Sequence, residues 1–110
     1  MKYISILIVL STLFGKLYVS QFQEKEEIIV YGSDTCHYCI DTKEFLNKNK
    51  IKFVYYDVDL NIEKQTEMVE KLKKAKISLS NLNLPVIDKQ GEIFTNSEDF
   101  EAFLHKIKED

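Results

Sequence analysis

Both cysteines of the chain lie in one four-residue unit, Cys36-His37-Tyr38-Cys39, which follows an apolar stretch and a short turn sequence. The thiolate is the reactive form of cysteine, and the free N–H groups and dipole at a helix start stabilise an anion there. We therefore expect Cys36, at the exposed start of a helix, to carry the more reactive thiol. Cys39 would lie one turn further along and be more buried. The spacing predicts a dithiol–disulfide cycle in which Cys36 attacks a disulfide and Cys39 resolves the mixed disulfide.

Other uses of two cysteines make different demands on the sequence. A static disulfide, or a pair of buried apolar cysteines, requires only that both side chains lie close together. A zinc site needs further ligands, and the only histidines are His37 and His105. Haem attachment is disfavoured because isoleucine follows Cys39, and two cysteines exclude a four-cysteine iron–sulfur site within one chain. His37 either stabilises the Cys36 thiolate when protonated or is a surface residue.

The hydrophobic pattern predicts the elements that position this unit. Seven segments have the length and pattern of strands or helices: a strand at 28–31, a helix at 36–49, a strand at 52–58, a helix at 61–76, strands at 85–87 and 92–94 joined through Gly91, and a last helix capped by Asn96 or Ser97. The order β-α-β-α-β-β-α predicts an α/β fold with a four-stranded mixed sheet flanked by helices. The first two strands should be parallel because a helix connects them, and the last two antiparallel.

Apolar positions at helical spacing indicate the side chains that each helix buries. The expected inward residues are Ile40, Phe45 and Leu46 in the first helix, Ile62, Val69, Leu72 and Ala75 in the second, and Phe100, Phe103, Leu104 and Ile107 in the last.

The amino terminus has the pattern of a targeting segment. Met1-Lys2 precedes an apolar run from Tyr3 to Phe14, which has the length of a secretory h-region and is shorter than a standard membrane-spanning helix. We interpret residues 1–20 as a signal peptide, with a membrane anchor over residues 3–20 as the alternative. Residues 21–27 form a polar lead-in, and residues 28–110 form the single working domain. The expected location is outside the cytoplasm, in a bacterial periplasm, where disulfides persist.

Charge and composition exclude several classes of function. All fifteen basic residues are lysine, and eighteen acids give a net charge of −3. Without residues 1–20, which hold two lysines and no acid, the remainder has 13 lysines and 18 acids and a charge of −5. An acidic chain without arginine is unsuited to neutralising phosphates, so no nucleic-acid partner is expected.

Residues 28–108 resemble the thioredoxin superfamily and are most similar to glutaredoxins. The resemblance rests on the first strand, the CHYC unit, the LPVI stretch at 84–87 and the terminal amphipathic helix. It implies a thioredoxin-like fold of the glutaredoxin type and a cis peptide bond between Leu84 and Pro85. It further implies that His37, Tyr38, Leu84 and Pro85 contact the substrate, with the backbone of Leu84 pairing with an incoming peptide or glutathione.

The sequence departs from the glutaredoxin pattern at the positions that bind glutathione. Many glutaredoxins have a lysine shortly before the first cysteine, whereas this chain has Asp34, which would oppose the Cys36 thiolate. His37 replaces the usual proline, and residues 83–85 read Asn-Leu-Pro in place of Thr-Val-Pro. Residues 95–99 match the glutathione-binding loop only in the final acid and the helix cap. A protein disulfide is therefore as good a candidate substrate as glutathione.

The resulting expectation is an exported thiol–disulfide oxidoreductase that reduces or exchanges protein or glutathione mixed disulfides through Cys36 and Cys39. It would require no metal or prosthetic group, with glutathione as a candidate cosubstrate. Its expected partners are protein disulfides or glutathione, with a membrane reductase upstream, and the chain should be a monomer. Two alternatives stay open: a non-catalytic binding module with a static disulfide, and a glutathione-assisted iron–sulfur carrier.

Overall fold

The computed structural model describes residues 27–97 and 99–109 as one mixed sheet with helices on both faces. The predicted segment 1–20, and the lead-in up to residue 26, lie outside the described residues. The elements in chain order are β1 (Ile28–Gly32), α1 (His37–Lys48), β2 (Val54–Asp57), α2 (Ile62–Lys74), β3 (Val86–Lys89), β4 (Glu92–Thr95) and α3 (Phe100–Lys108). The thioredoxin-like α/β fold and its predicted element order are thereby confirmed.

The four strands lie in the order β2-β1-β3-β4. β1 pairs in parallel with β2, with Gly32 opposite Asp57, and antiparallel with β3, with Tyr31 opposite Val86. β3 and β4 form a hairpin whose turn has positive φ at Gln90 (55°) and Gly91 (96°). Positive φ at both central residues gives the turn a twist that matches the flanking strands. Because β1 and β2 run in the same direction, the loops that follow them meet at one edge of the sheet.

Two apolar clusters cover the two faces of the sheet. One joins alternate residues of β1 to α1 and α3 through Val30, Leu46 and Ile107, all of them buried. The other packs Tyr31 against Leu72 of α2. Adjacent residues of β1 thus enter opposite clusters, as the alternation of side chains along a strand requires. The central strand is anchored from both sides and holds the loop at its end in place.

Four details of the predicted helices are wrong, three inward residues and one cap. Ile40, Ile62 and Ala75 are exposed rather than inward, and α1 and α2 instead bury Thr42 and Met68. The last helix is capped by Asp99, whose carboxylate accepts from the N–H of Glu101 at 3.0 Å, and neither Asn96 nor Ser97 is the cap. Within the residues that the structure describes, no helix has the length and apolarity to cross a membrane.

Candidate active site around Cys36 and Cys39

Cys36 is the N-cap residue of α1 and immediately precedes its first residue, His37. Its backbone is extended (φ −95°, ψ 118°), and its carbonyl accepts the first helical hydrogen bond from the N–H of Ile40 at 3.1 Å. Its Sγ accepts from the N–H of Cys39 at 3.3 Å, which is the role of an N-cap side chain. Cys36 is partly exposed, and both cysteines are free thiols. A sulfur that substrate can reach therefore receives an N–H donor from the first turn of a helix, where negative charge is favoured.

Cys39 lies one turn along α1 and is fully buried beneath Cys36. Its Sγ accepts from the N–H of Ser33 at 3.4 Å. Burial, followed by the hydrogen bond with Cys36, raises the pKa of the Cys39 thiol to about 12. A β-carbon at Gly32 would lie 2.9 Å from this Sγ, so glycine at the end of β1 is what gives the sulfur its space. The two thiols thus differ in accessibility, as the sequence predicts.

The segment before β3 brings Leu84 and Pro85 to Cys36. The Leu84–Pro85 peptide bond is cis, as the resemblance implied, and Pro85 is buried. The Cys36 thiol donates to the carbonyl oxygen of Leu84 at 3.7 Å. The backbone of Leu84 therefore lies beside the exposed sulfur.

His37 and Tyr38 occupy the exposed side of the same turn. The His37 side chain is 80% exposed, and its Nε2 lies 3.0 Å from a carboxylate oxygen of Asp41, one turn further along α1. The Tyr38 ring is about half-exposed, with its centroid 4.8 Å from that of Phe100 in α3. Tyr38 is therefore held at the surface next to Cys36, whereas the described contacts of His37 are directed along the helix.

The sequence reasoning missed a lysine whose charge acts on the buried Cys39 thiol and lowers its pKa slightly. Lys43 is four residues after Cys39, and its Nζ lies 3.2 Å from a carboxylate oxygen of Asp34 and 3.9 Å from the centroid of the Tyr55 ring. The hydrogen bond from Lys43 is the largest influence that lowers the pKa of Asp34. Asp34 is therefore compensated by a neighbouring cation. The spacing of four residues from Cys39 is the signal that could have identified Lys43.

The loop before Cys36 is held by hydrogen bonds to the loop that follows β2. The Ser33 hydroxyl is buried and donates to a carboxylate oxygen of Asp59 at 2.5 Å. The N–H of Asp34 donates to Asp57 at 3.2 Å, and the N–H of Cys36 donates to the carbonyl of Ser33 at 3.1 Å.

Over the described part of the chain, no group of three or more histidine, cysteine or acidic side chains is placed to hold a metal ion.

The geometry is that of a thioredoxin-fold thiol site, and comparison with known proteins identifies the family. The family model described as glutaredoxin matches residues 28–92, which include both cysteines and Pro85. The chain belongs to the glutaredoxin family. A crystal structure of a glutaredoxin from Archaeoglobus fulgidus is similar in fold, with a TM-score of 0.57 and 24% sequence identity over 81% of this chain and 94% of that chain. The comparison with curated proteins gave no match.

Family membership supports a general class of chemistry. Glutaredoxins act on glutathione or on protein disulfides, so this glutaredoxin-family chain has a function of the thiol-oxidoreductase type. The residues that the family model matches include both cysteines, which lie at the start of α1 in the segment that follows β1.

Proposed function

We propose that the protein is a dithiol–disulfide oxidoreductase in which Cys36 is the attacking thiol and Cys39 the resolving thiol. The observation that carries this proposal is the difference in exposure between two cysteine sulfurs on one helical turn. Cys36 is partly exposed and capped by an N–H donor, whereas Cys39 is buried directly behind it. The exposed sulfur can reach a substrate disulfide, and the buried one can reach only Cys36.

The reaction transfers two electrons from the protein to the substrate. The Cys36 thiolate attacks one sulfur of the substrate disulfide, the substrate S–S bond breaks, and the leaving thiolate takes up a proton. Cys39 then loses its proton and attacks the Sγ of Cys36, which releases the second substrate thiol. The protein ends with a Cys36–Cys39 disulfide, and a dithiol or two molecules of glutathione would reduce it again.

Substrate contacts in this proposal come from three groups around Cys36. The backbone of Leu84, held by Pro85, would hydrogen-bond to the substrate chain, and the exposed Tyr38 ring would cover the substrate disulfide. His37 lies at the outer rim, where its pairing with Asp41 leaves it a minor role. No metal or prosthetic group takes part, and glutathione is a candidate cosubstrate that supplies electrons.

The proposal is tested by reduction of insulin disulfides with dithiothreitol as electron donor, together with the reduction potential of the Cys36–Cys39 pair. We expect turnover that is lost in Cys36→Ser, and a potential in the range of about −270 to −200 mV found for thioredoxin and glutaredoxins. Ser78→Ala, in the exposed loop after α2, is the control variant and should keep the turnover of the wild type. A potential below about −300 mV without turnover would instead indicate a static disulfide in a binding module.

We further propose that the protein acts outside the cytoplasm as a monomer. The support for export is the sequence of residues 1–20, a short positive start followed by an apolar run of h-region length. Mass spectrometry of the protein from its native cells would identify the mature amino terminus. A start near residue 21 in a periplasmic fraction is the expected result, and an intact Met1 in the cytoplasmic fraction would contradict export.

A further inference from the structure

The two most exposed large apolar side chains in the described part of the chain lie between the end of β2 and the first residue of α2. Leu60 is 83% exposed and Ile62 is 71% exposed, on either side of Asn61, which caps α2. Such side chains normally enter a core or a contact with another molecule, and neighbouring exposed ones indicate an interaction surface. They belong to residues 57–63, which we call the acidic rim because three of its seven residues are Asp57, Asp59 and Glu63.

The acidic rim is bonded to the loop that leads into Cys36. Asp59 accepts from the Ser33 hydroxyl at 2.5 Å, and Asp57 accepts from the N–H of Asp34 at 3.2 Å. The N–H of Val58 donates to the carbonyl of Gly32 at 2.9 Å, so the ends of β1 and β2 are also joined directly. The acidic rim is therefore joined to the loop that ends at Cys36, on the same edge of the sheet as the exposed sulfur.

The three carboxylates of the acidic rim have no ion-pair partner among the described residues. No lysine nitrogen there lies within 4 Å of a carboxylate oxygen of Asp57, Asp59 or Glu63. Lys64, which follows the rim in the chain, pairs with Glu67. The surface therefore combines exposed apolar area with carboxylates that form no ion pair.

The apolar area and negative charge of the acidic rim favour some partners of a disulfide exchange protein over others. Glutathione carries two carboxylates and one ammonium group, so its net charge is negative and the rim repels it. Anionic lipid surfaces and nucleic acids are repelled for the same reason. A polypeptide segment with lysine or arginine beside an apolar side chain is complementary in both charge and hydrophobicity.

We propose that the acidic rim is a docking surface for the polypeptide that carries the substrate disulfide, and that this polypeptide presents an apolar side chain flanked by lysine or arginine. The inference rests on the proposed function and gives its substrate class as a protein disulfide. Leu60 and Ile62 would be covered by the apolar side chain, while Asp59 and Glu63 would pair with its cationic neighbours.

The test uses the full chain and two synthetic peptides, each with one cysteine joined to thionitrobenzoate in a mixed disulfide. In one peptide the cysteine is followed by leucine with lysines on both sides, and in the other glutamates replace the lysines. At about 10 mM salt we expect a kcat/KM roughly 10-fold or more higher for the lysine peptide, falling to within a few-fold at 0.5 M salt as charges are screened. Equal values for the two peptides at low salt would overturn the proposal, as would faster turnover of glutathione disulfide than of the lysine peptide.

Two variants separate docking from catalysis. The double variant L60S/I62S should lower kcat/KM for the lysine peptide by roughly 10-fold, since it removes the apolar contact, and leave bis(2-hydroxyethyl) disulfide turnover unchanged. Glu63→Gln should lower only the lysine-peptide value by a few-fold. Glu70→Gln, the same change two turns along α2, is the matched control and should change neither. An unchanged lysine-peptide value in L60S/I62S, or an equal loss with the small disulfide, would refute a docking role.

Docking is also measurable without any thiol chemistry. A lysine peptide with serine in place of its cysteine should bind the Cys36→Ser protein, and L60S/I62S in that background should weaken the binding about 10-fold. Binding of this peptide with no insulin turnover by the wild type would refute the proposed function and keep the docking surface. Insulin turnover with no peptide binding would refute the docking surface and keep the function.

Discussion

Replacing Cys36 by serine should leave Cys39 as an unusually slow thiol, because the fold buries its sulfur completely. The Cys39 side chain has no exposed area, and its Sγ faces the N–H of Ser33 and the space left by Gly32. Burial is the largest cause that raises the Cys39 pKa to about 12. Burial, the largest cause of the raised pKa, stays in the variant, whereas the smaller contributions of the Cys36 thiol are lost.

The expected rate follows from the change in pKa. With the Cys36 thiol present, a rise in the Cys39 pKa from its ordinary value of 9.0 to about 12 lowers the thiolate fraction at pH 7 about 1000-fold. A more basic thiolate is intrinsically more nucleophilic, with a Brønsted coefficient of about 0.4–0.5, which offsets roughly 20-fold of that loss. The quotient, about 50-fold, is the upper limit of the slowing that the raised pKa causes in the variant, and restricted access slows alkylation further.

The assay is labelling by iodoacetamide at pH 7, followed by intact mass, on the Cys36→Ser and Cys39→Ser proteins. The single thiol of Cys39→Ser should be labelled about 10-fold or more faster than that of Cys36→Ser, because burial both raises the Cys39 pKa and limits access to its sulfur. In guanidinium chloride the two proteins should be labelled at the same rate, since unfolding removes the burial. Equal labelling of the folded variants would refute the inference that burial separates the two sulfurs.

Two further predictions concern stability. Gly32→Ala should destabilise the fold by about 1–3 kcal/mol in urea unfolding, because its β-carbon would lie 2.9 Å from both Cys39 Sγ and a ring carbon of Tyr55; an unchanged midpoint would contradict this close packing. Glu67→Gln should cost about 1 kcal/mol at pH 7, because the hydrogen bond from Tyr31 lowers the pKa of Glu67. Because the Glu67 pKa is lower in the folded protein than in the unfolded chain, where it is near 4.5, the ionised carboxylate stabilises the fold at pH values above 4.5. This stabilisation is lost as the pH falls through the lower pKa of the folded state. The difference between wild type and Glu67→Gln should therefore disappear in acid, and a constant difference from pH 7 to pH 2 would contradict it.

The order of the elements and the placement of the cysteines could be predicted because each depends on local pattern and short connections. A buried strand followed by Gly32 and turn residues ends at the edge of the sheet, and the spacing of Cys36 and Cys39 then places them on one helical turn. The connection through Gly91 was also predicted, although the structure shortens it from residues 88–91 to residues 90–91. None of these predictions requires knowledge of distant contacts.

The predictions that were wrong depended on choices that local pattern leaves open. Asn96, Ser97 and Asp99 are all good helix caps, and the chain uses Asp99 while Asn96 is buried. Helical spacing also permits more than one inward face, and packing against Tyr31 selects Leu72 while leaving Ile62 exposed.

The acidic rim and Lys43 were missed for a related reason. The Lys43 side chain meets Asp34 only because α1 returns along the loop that precedes it. The acidic rim meets that loop because β1 and β2 are parallel and end at the same edge of the sheet. The spacing of Lys43 from Cys39 is visible in the sequence, but its contact with Asp34 and the contact of the acidic rim with the loop are shown only by the folded arrangement.

The assignment of Cys36 as the attacking thiol and Cys39 as the resolving thiol is tested most directly by trapping mixed disulfides. Each single-cysteine variant would be mixed with a protein disulfide substrate, quenched in acid and examined by intact mass for a mixed disulfide. Cys39→Ser should accumulate a stable adduct through Cys36, because nothing remains to resolve it, whereas Cys36→Ser should form little. Equal adduct formation by both variants, or an adduct mainly through Cys39, would contradict the assignment of Cys36 as the attacking thiol.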